Sequence, residues 1–478
     1  MRFQKIKLIS QHTFQNLRKA SSTKWLVGLF NGLLFFALIA AFAYQQQQQH
    51  TVEHYSADVR ERWESSPDKH PHRMAHYGYV AFRQKYPLSF FDYGLDSYVG
   101  NVVFLEAHRQ NSVNFSEASL SNGLVRFGEI SAALILQLLV PLLIFFWGFG
   151  LIAGERETGT LRLILSQGVS WSELIMGKSL GLFALSLLLF VPTILLALIL
   201  LFVGDFTTDG LLSYGTLSIS YLAYLFIMSL LAVWVSAKSQ TSKNALIQLI
   251  GCWLFFTLLL PKLSQVAGQV FVPTPSQIEF DTVVEHELIK LGDSHNPDDP
   301  HYQAIKDSVL AANNVSSVKE LDFNYSGLIM REGEKLSTEV YRRHQAELME
   351  QYQRQQNIVG WTAFLNPYIA MKNVSMALSG TDFHAFRNFQ NQSEAYRYNL
   401  AQTMNNWQIK FIANNTSSST KGAVLDKQFW KDFADFEHEQ LSFATILGNE
   451  KMSLLALVLW LGGLLFLVRF STGGLKAF

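Results

Sequence analysis

The chain has 478 residues, of which 49% are hydrophobic, 13% are aromatic and 16% are charged. It is too apolar for an ordinary soluble domain and too polar for a chain that never leaves the bilayer, so we expect a membrane protein with sizeable soluble insertions. The formal net charge is zero, which gives no electrostatic reason to expect a nucleic-acid partner. A single cysteine, Cys252, excludes an intrachain disulfide.

Residues 1–24 predict a cytoplasmic amphipathic helix. They carry six Lys or Arg and no acid, and Phe3, Ile6, Phe14 and Leu17 recur on one side of a 3.6-residue period. Residues 25–44 carry no charge and are long enough to form span one. The basic region is long for a signal peptide, so we expect an uncleaved span.

Five more apolar runs follow, with two long polar stretches between them. Pro141 and Pro192 fall inside the predicted spans two and three and favour kinks there, and span five is expected to stop near Pro261. The predicted order is a first insertion at 45–128, span two at 129–153, a polar hinge at 154–174, spans three to five within 175–261, a second and larger insertion at 262–441, and span six with its tail at 442–478.

Both insertions are predicted to be mainly helical. Residues 332–356 are rich in Glu, Gln, Arg and Lys, with apolar residues at helical spacing. Residues 414–420 have the composition of a loop, and no run alternates well enough to predict a sheet. The predicted fold is therefore an all-α integral membrane protein with six transmembrane helices and two extracytoplasmic insertions, after spans one and five.

Basic residues next to spans set the predicted orientation, because such residues are retained in the cytoplasm. The amino-terminal segment, the loop at 237–243 and the tail after span six carry bases and no acid. The loop at 204–210 carries Asp205 and Asp209 and no base. We therefore expect both termini and the hinge in the cytoplasm, and both insertions in the periplasm or outside the cell, with the bacterial inner membrane as the location.

The hinge contains Gly154-Glu155-Arg156-Glu157-Thr158-Gly159-Thr160-Leu161. This segment resembles the cytoplasmic GE-x-E-x-GTL signature of type-2 ABC transporter permeases, which links their second and third spans. Residues 365–383 resemble the membrane-proximal part of bacterial members that carry a large extracytoplasmic insertion of unassigned function. The six-span plan and the basic amino-terminal helix are similar to that family as well.

The resemblance implies that this eight-residue segment of the hinge couples the permease to a cytoplasmic ATPase subunit. We expect Glu155, Arg156 and Glu157 to project charge, the two glycines to allow tight turns, and Thr158 or Thr160 to cap the next helix. The alternative is that these charges only solvate the end of a span. The resemblance also implies a second permease, a copy or a paralogue, and ATP with Mg bound by the partner ATPase rather than by a cofactor site in this chain.

Two enzyme-like motifs compete with this interpretation. Gly177-Lys178-Ser179 resembles the end of a phosphate-binding loop, but Ser172 stands where the first glycine is required, so we expect nucleotide to bind elsewhere. His50, Glu53 and His54 form an H-x-x-E-H match, which on a helix is typical of a zinc metallopeptidase. No third ligand is identifiable in the sequence for that candidate site, although His70, His72 and His76 follow nearby.

Aromatic residues in two spans are candidates for lining a transport pathway, since spans two and five meet across the dimer in similar permeases. These residues are Phe145, Phe146, Trp147 and Phe149 in span two and Phe255 and Phe256 in span five. The alternative is that they pack against helices or lipid. No span carries a charge in its central part, which favours a hydrophobic or amphipathic substrate over an ion.

The function expected is a non-catalytic permease subunit that exports or extracts such a substrate, driven by a separate ATPase. A first alternative is an ATPase-driven mechanical transmitter that acts on an envelope partner without moving a solute. The zinc metallopeptidase is the second alternative.

Overall fold

A computed structural model describes residues 3–108, 110, 130–292, 296, 298–414 and 423–470. Within these residues, six helices are long and apolar enough to cross a membrane, as predicted. Spans one to six are Ser21–Glu64, Ala132–Glu157, Trp171–Val203, Thr208–Lys238, Ser242–Phe271 and Lys451–Phe470. The chain is therefore an all-α, multi-pass membrane protein.

The helix of span one continues well beyond the apolar run. It is 44 residues long and therefore extends about 66 Å, roughly twice the thickness of the hydrocarbon core. No glycine or proline interrupts residues 45–64, and the Gln, Glu and Arg found there are good helix formers. The glutamine run is thus helical, and the outer end of span one becomes part of the first insertion.

Span five also continues where we expected it to stop, since its helix passes through Pro261 to Phe271. A π-helical turn, Phe255–Leu259, precedes the proline and accommodates the missing N–H donor. Span two repeats this arrangement, with Ile135–Leu139 before Pro141. Side chains satisfy carbonyls of both turns: the Trp253 indole donates to Leu138 O at 2.8 Å, and the Asn366 amide donates to Phe256 O at 2.7 Å.

The basic amino-terminal helix, Phe3–Lys19, packs along the start of span three. Two glycines of span three make this approach possible. A Cβ atom added at Gly177 would lie 2.7 Å from Ile9, and one at Gly181 would lie 2.6 Å from the carbonyl oxygen of Ser10. The helix is therefore packed against the bundle and does not lie alone on the membrane surface.

The two insertions form one outer domain that is mainly helical. A small antiparallel ribbon pairs Tyr79–Phe82 with Val102–Leu105, which the sequence did not predict. The outer domain has a hydrophobic core separate from that of the spans, which includes Trp63, at the end of span one, and Trp430. The other helices in this region are Pro71–Ala75, Asp96–Val99, Gln277–Lys290, Pro300–Ala312, Val318–Glu320, Tyr325–Trp361, Thr362–Phe364, Pro367–Leu378, Phe383–Phe411, Gln428–Lys431 and Phe443–Asn449.

Parts of both insertions pack into the helical bundle itself. Phe90, Phe91 and the helix Pro367–Leu378 belong to the same hydrophobic core as the spans. Asp92 is buried there and accepts hydrogen bonds from Ser375 Oγ at 2.5 Å and from the Gln137 amide of span two at 3.3 Å. Asp92 belongs to the first insertion and not to a span. The prediction considered charges in the span sequences alone and therefore missed this titratable group within the bundle.

The basic short loops lie at one end of the bundle, and the insertions lie at the other end together with the acidic loop at 204–210, as the charge pattern predicted. At one end, Lys5 of the amino-terminal helix donates to Gly168 O of the hinge at 2.5 Å. At the other end, Gln49 donates to Asp205 at 2.7 Å, and Asp209 accepts from the backbone N–H of Phe443 at 2.9 Å. The predicted loop at 414–420 and the tail after Phe470 lie almost entirely outside the described residues.

Candidate functional site

The hinge consists of two short helices at a sharp corner. Ala153–Glu157 ends span two, and Thr160–Ser166, which we call the coupling helix, follows it. Gly159 lies between them with φ of 78°, a left-handed conformation that favours glycine. The predicted threonine cap is wrong: the N-cap is Gly159, and the Thr158 hydroxyl donates to Gly154 O at 3.1 Å instead.

Glu155 connects span two to span three. Its Oε1 accepts a hydrogen bond from Nζ of Lys178 at 2.7 Å. Lys178 is only 6% exposed, so the ion pair is shielded from solvent on one side. The glycine-lysine-serine segment is therefore part of helix packing: Gly177 contacts the amino-terminal helix, Lys178 pairs with Glu155, and Ser179 is buried.

Arg156 connects the hinge to span four. Its guanidinium donates to Ala237 O at 2.8 Å and also to Ser239 O, at the end of the span-four helix. The last carbonyls of a helix have no intrahelical donors and lie at the negative end of its dipole. A cation there donates hydrogen bonds to these carbonyls and interacts favourably with the dipole. Arg156 also lies over the ring of Trp171, at the start of span three.

Glu157 connects the hinge to span five. Its carboxylate accepts hydrogen bonds from the backbone N–H of Ser242 at 3.0 Å and from the Ser242 hydroxyl at 2.7 Å. Ser242 is the first residue of the span-five helix, where free N–H groups and the positive end of the helix dipole favour an anion. The three consecutive charges thus contact three different spans.

Only some residues of the hinge motif are exposed. Leu161 is fully buried, and Glu155, Arg156 and Gly159 are half-buried. Glu157, Thr158 and Thr160 are exposed. The coupling helix adds Leu163, a large apolar side chain that is 65% exposed. Leu163 lies outside the sequence motif. The only sequence signal for it is that it is an apolar residue in the short segment between two spans.

The predicted pathway aromatics divide into two groups. Phe145 and Trp147 are buried between helices, and Phe256 packs edge-on against Trp460 of span six with ring centroids 5.9 Å apart. Phe146 and Phe255 are 44% and 41% exposed on the outside of the bundle, and Phe149 is half-buried. Only Phe146 and Phe255 therefore present a large ring area to whatever surrounds this chain.

A cavity of about 550 Å³ opens between the bundle and the outer domain. Apolar residues such as Trp361, Met376 and Met452 line it together with polar and titratable groups. Asp382, His384 and Glu450 converge in this wall, with one polar atom of each within 4.8 Å of the others. Burial raises the pKa of Glu450 to about 7, against a smaller opposite effect of its hydrogen bond with Ser453.

No third ligand converges on the H-x-x-E-H residues within the part of the chain that the structure describes. His50, Glu53 and His54 are exposed on the long helix of span one, and His54 lies 3.7 Å from Asp58 on the same helix. Among the described residues, the two groups of three converging ligand-type side chains contain none of these residues. One of those groups unites His72 and His76 with His108, a residue the sequence analysis did not identify.

Comparison with known proteins gives two matches to family models. Residues 106–205 match the family described as ABC-2 membrane transporter related, and residues 277–439 match a domain of unknown function, DUF3526. Over 135 residues the chain is 31% identical to the probable ABC transporter permease protein NosY of Pseudomonas aeruginosa. This alignment covers 25% of the chain and 45% of NosY, so the chain spans less than half the length of that relative. Together with the six spans, these similarities support an ABC-2 type transporter permease, in line with the resemblance of the hinge motif.

Proposed function

We propose that this chain is the transmembrane permease subunit of an ATP-driven transporter, and that a separate ATPase subunit docks on the coupling helix Thr160–Ser166. ATP and Mg bind to that partner. In this proposal the hinge faces the cytoplasm and the outer domain faces the periplasm of a bacterial inner membrane. The transporter exports or extracts a hydrophobic or amphipathic substrate.

One observation carries the proposal: the hinge contacts spans three, four and five through consecutive charged residues. Glu155 pairs with Lys178, Arg156 binds the last carbonyls of span four, and Glu157 binds the first N–H group of span five. A rigid movement of the coupling helix therefore acts on four spans together, because Ala153–Glu157 is itself the end of span two. This geometry suits the transmission of ATPase movement into the bundle.

The outer cavity supports an amphipathic substrate. It combines the apolar side chains of Trp361, Met376 and Met452 with the charged groups of Lys372 and Asp382. Ligand sites are usually concave and largely apolar, with a few polar groups that orient the ligand. A molecule with an apolar body and a polar end matches this lining better than an ion or a sugar.

Span five supports pairing with a second permease. Its helix is 30 residues long and extends about 45 Å, longer than the hydrocarbon core. Val266, Val270 and Phe271, near its outer end, remain 55% to 73% exposed. Because they lie beyond the reach of lipid tails in this proposal, a second permease, a copy or a paralogue, is the partner we expect to cover them.

The mechanical alternative rests on span one. Its helix runs without interruption into the outer domain, where the Trp63 indole donates to Trp430 O at 3.0 Å and Arg60 donates to Lys431 O at 2.6 Å. A continuous helix fixed in the outer core transmits movement of the bundle to that domain. Stimulation of ATP hydrolysis by an added lipid-like substrate separates transport from this alternative, in which no solute stimulates hydrolysis.

The test of the docking proposal is co-purification of the full chain with its ATPase. We expect the tagged wild-type protein to recover a soluble ATPase, and the Leu163→Glu variant to lose at least ten-fold of that recovery. Ile278→Glu is the matched control, because Ile278 is 79% exposed on the outer domain. Undiminished recovery with Leu163→Glu, or equal loss with both variants, would contradict the assignment of the coupling helix.

A further inference from the structure

Three histidines of the outer domain converge on one point. His72 and His76 lie one helical turn apart, with the backbone N–H of His76 donating to His72 O at 3.3 Å. His108 approaches from the end of the ribbon, and one ring nitrogen of each residue lies within 4.8 Å of the others. The ring centroids are 4.8, 5.3 and 5.7 Å apart, so the three imidazoles form a compact triangle.

A buried carboxylate orients His108. The Nδ1 atom of His108 lies 2.9 Å from Oε2 of Glu334, which is fully buried, and the backbone N–H of His108 donates to the same oxygen at 3.0 Å. A carboxylate that accepts from Nδ1–H fixes the tautomer with its lone pair on Nε2. This carboxylate–histidine arrangement is the one that proteins commonly place behind a metal-ligating imidazole.

Glu334 is itself held rigidly. Its Oε1 accepts hydrogen bonds from Nη1 of Arg397 at 2.6 Å and from the hydroxyl of Thr338 at 3.1 Å. Arg397 is also fully buried, and it forms ion pairs with both Glu334 and Glu394. A buried ion pair of this kind costs desolvation energy, and loss of either partner would leave the other charge buried without compensation.

The backbone around the histidines is also constrained. His108 has φ of 60°, a left-handed conformation that is uncommon for a residue other than glycine. Ala107 donates its N–H to Ala75 O at 3.1 Å, which ties the ribbon end to the short helix that carries His72. Local strain that the surrounding structure maintains is characteristic of binding sites.

We propose that His72, His76 and His108 bind a divalent transition-metal ion of the zinc class, with Glu334 orienting His108. Imidazole nitrogen is a preferred ligand of Zn²⁺, which binds it at about 2.0–2.1 Å. The ring nitrogens already lie within 4.8 Å of one another, and rotation of the rings towards a common ion completes the approach. Three protein ligands leave a fourth position, and because His76 is exposed, water or another small ligand can reach the ion and complete the coordination.

This site differs from the H-x-x-E-H motif in the residues that form it. His54 is exposed on the helix of span one and belongs to neither converging group among the described residues. His54→Ala is therefore the matched control for His76→Ala, because each substitution removes one exposed imidazole from the outer part of the chain.

The experiment uses the full-length protein in detergent, stripped of metal with a chelator and titrated with Co²⁺ and with Zn²⁺. Wild-type protein should bind one equivalent, show the intense visible absorption of tetrahedral Co²⁺, and gain thermal stability with Zn²⁺. His76→Ala should weaken binding at least ten-fold and lose that gain, while His54→Ala should match the wild type. His72→Ala, measured for thermal stability without metal as well, separates loss of the site from loss of the fold.

Absence of stoichiometric binding to the wild type would overturn the proposal. So would binding that His76→Ala and His72→Ala leave unchanged, or binding that His54→Ala abolishes. A metal-bound wild type together with weakened binding in both site variants would establish the site, whichever role the ion has in the transporter.

Discussion

The Nζ atom of Lys178 lies 2.7 Å from Oε1 of Glu155, and this ion pair joins the end of span two to the start of span three. Removing one partner of a shielded ion pair leaves the other charge without compensation. Lys178→Met should therefore destabilise the protein by about 2–3 kcal/mol, because Glu155 is partly exposed and loses less than a fully buried carboxylate.

The double variant Glu155→Gln, Lys178→Met provides the control in a thermal-unfolding cycle. It should be more stable than Lys178→Met alone, since it removes the uncompensated charge. Strictly additive effects of the two substitutions would show that the pair contributes no coupling energy.

Glu157 offers a cleaner test of signalling through the hinge. Reversing the charges of Glu155 and Glu157 together would also break the Lys178 pair, so loss of activity in that variant would not separate folding from coupling. Glu157 is exposed, and within the described part of the chain its carboxylate accepts hydrogen bonds from Ser242 alone, at the start of span five. We expect Glu157→Gln to retain the bound ATPase and the thermal stability of the wild type, and to lose most of the permease-dependent change in ATP hydrolysis. Unchanged hydrolysis would place the signal elsewhere.

The contact between the amino-terminal helix and span three predicts a marked effect of a single methyl group. A Cβ atom at Gly181 would overlap the Ser10 carbonyl, whereas nothing lies within 4 Å of a Cβ atom at Gly215 in span four. Gly181→Ala should therefore cost about 1–3 kcal/mol through overpacking. Gly215→Ala should be neutral or slightly stabilising, since alanine is the better helix former. Thermal unfolding of the two variants in detergent compares them directly.

His438 predicts a loss of stability in acid. Burial, with a smaller contribution from the Arg83 charge, lowers the pKa of His438 from 6.5 to about 4. Below pH 6.5 His438 becomes protonated in the unfolded chain but stays neutral in the folded protein, so the free energy of unfolding falls as the pH approaches 4. The total loss from this group is roughly 3 kcal/mol at 1.4 kcal/mol per pKa unit. His438→Leu should flatten this part of the stability profile relative to its own value at pH 8.

Glu450 predicts a contribution of the opposite sign. Because its pKa is raised to about 7, Glu450 becomes protonated in the folded protein as the pH falls below 7. In the unfolded chain it becomes protonated only near pH 4.5. Acidification over this window therefore stabilises the fold. Glu450→Gln should be more stable than the wild type at pH 8, and the difference should disappear near pH 4.5. A constant difference across this range would refute the titration of Glu450.

Much of the fold follows from local sequence patterns. The six apolar runs predict six spans because crossing a hydrocarbon core requires a minimum length of helix without charge. The bases beside spans predict that the amino-terminal helix, the hinge and the loop at 237–243 share one end of the bundle, as the structure has them. Helix boundaries were less predictable, since the helical Gln45–Gln49 run and the π turn before Pro261 depend on propensity and on hydrogen bonds from distant side chains.

The sequence by itself determined that this is a six-span membrane protein with a charged hinge, because hydropathy, charge bias and a short motif are local properties. Only the tertiary structure decided what the hinge charges contact: Arg156 and Ser239 are 83 residues apart, and no local pattern pairs them. The same holds for Asp92 with Ser375, and for His108 with Glu334, which are 226 residues apart. Such contacts depend on how helices pack, and helix packing is settled by the fit of whole surfaces rather than by neighbours in the chain.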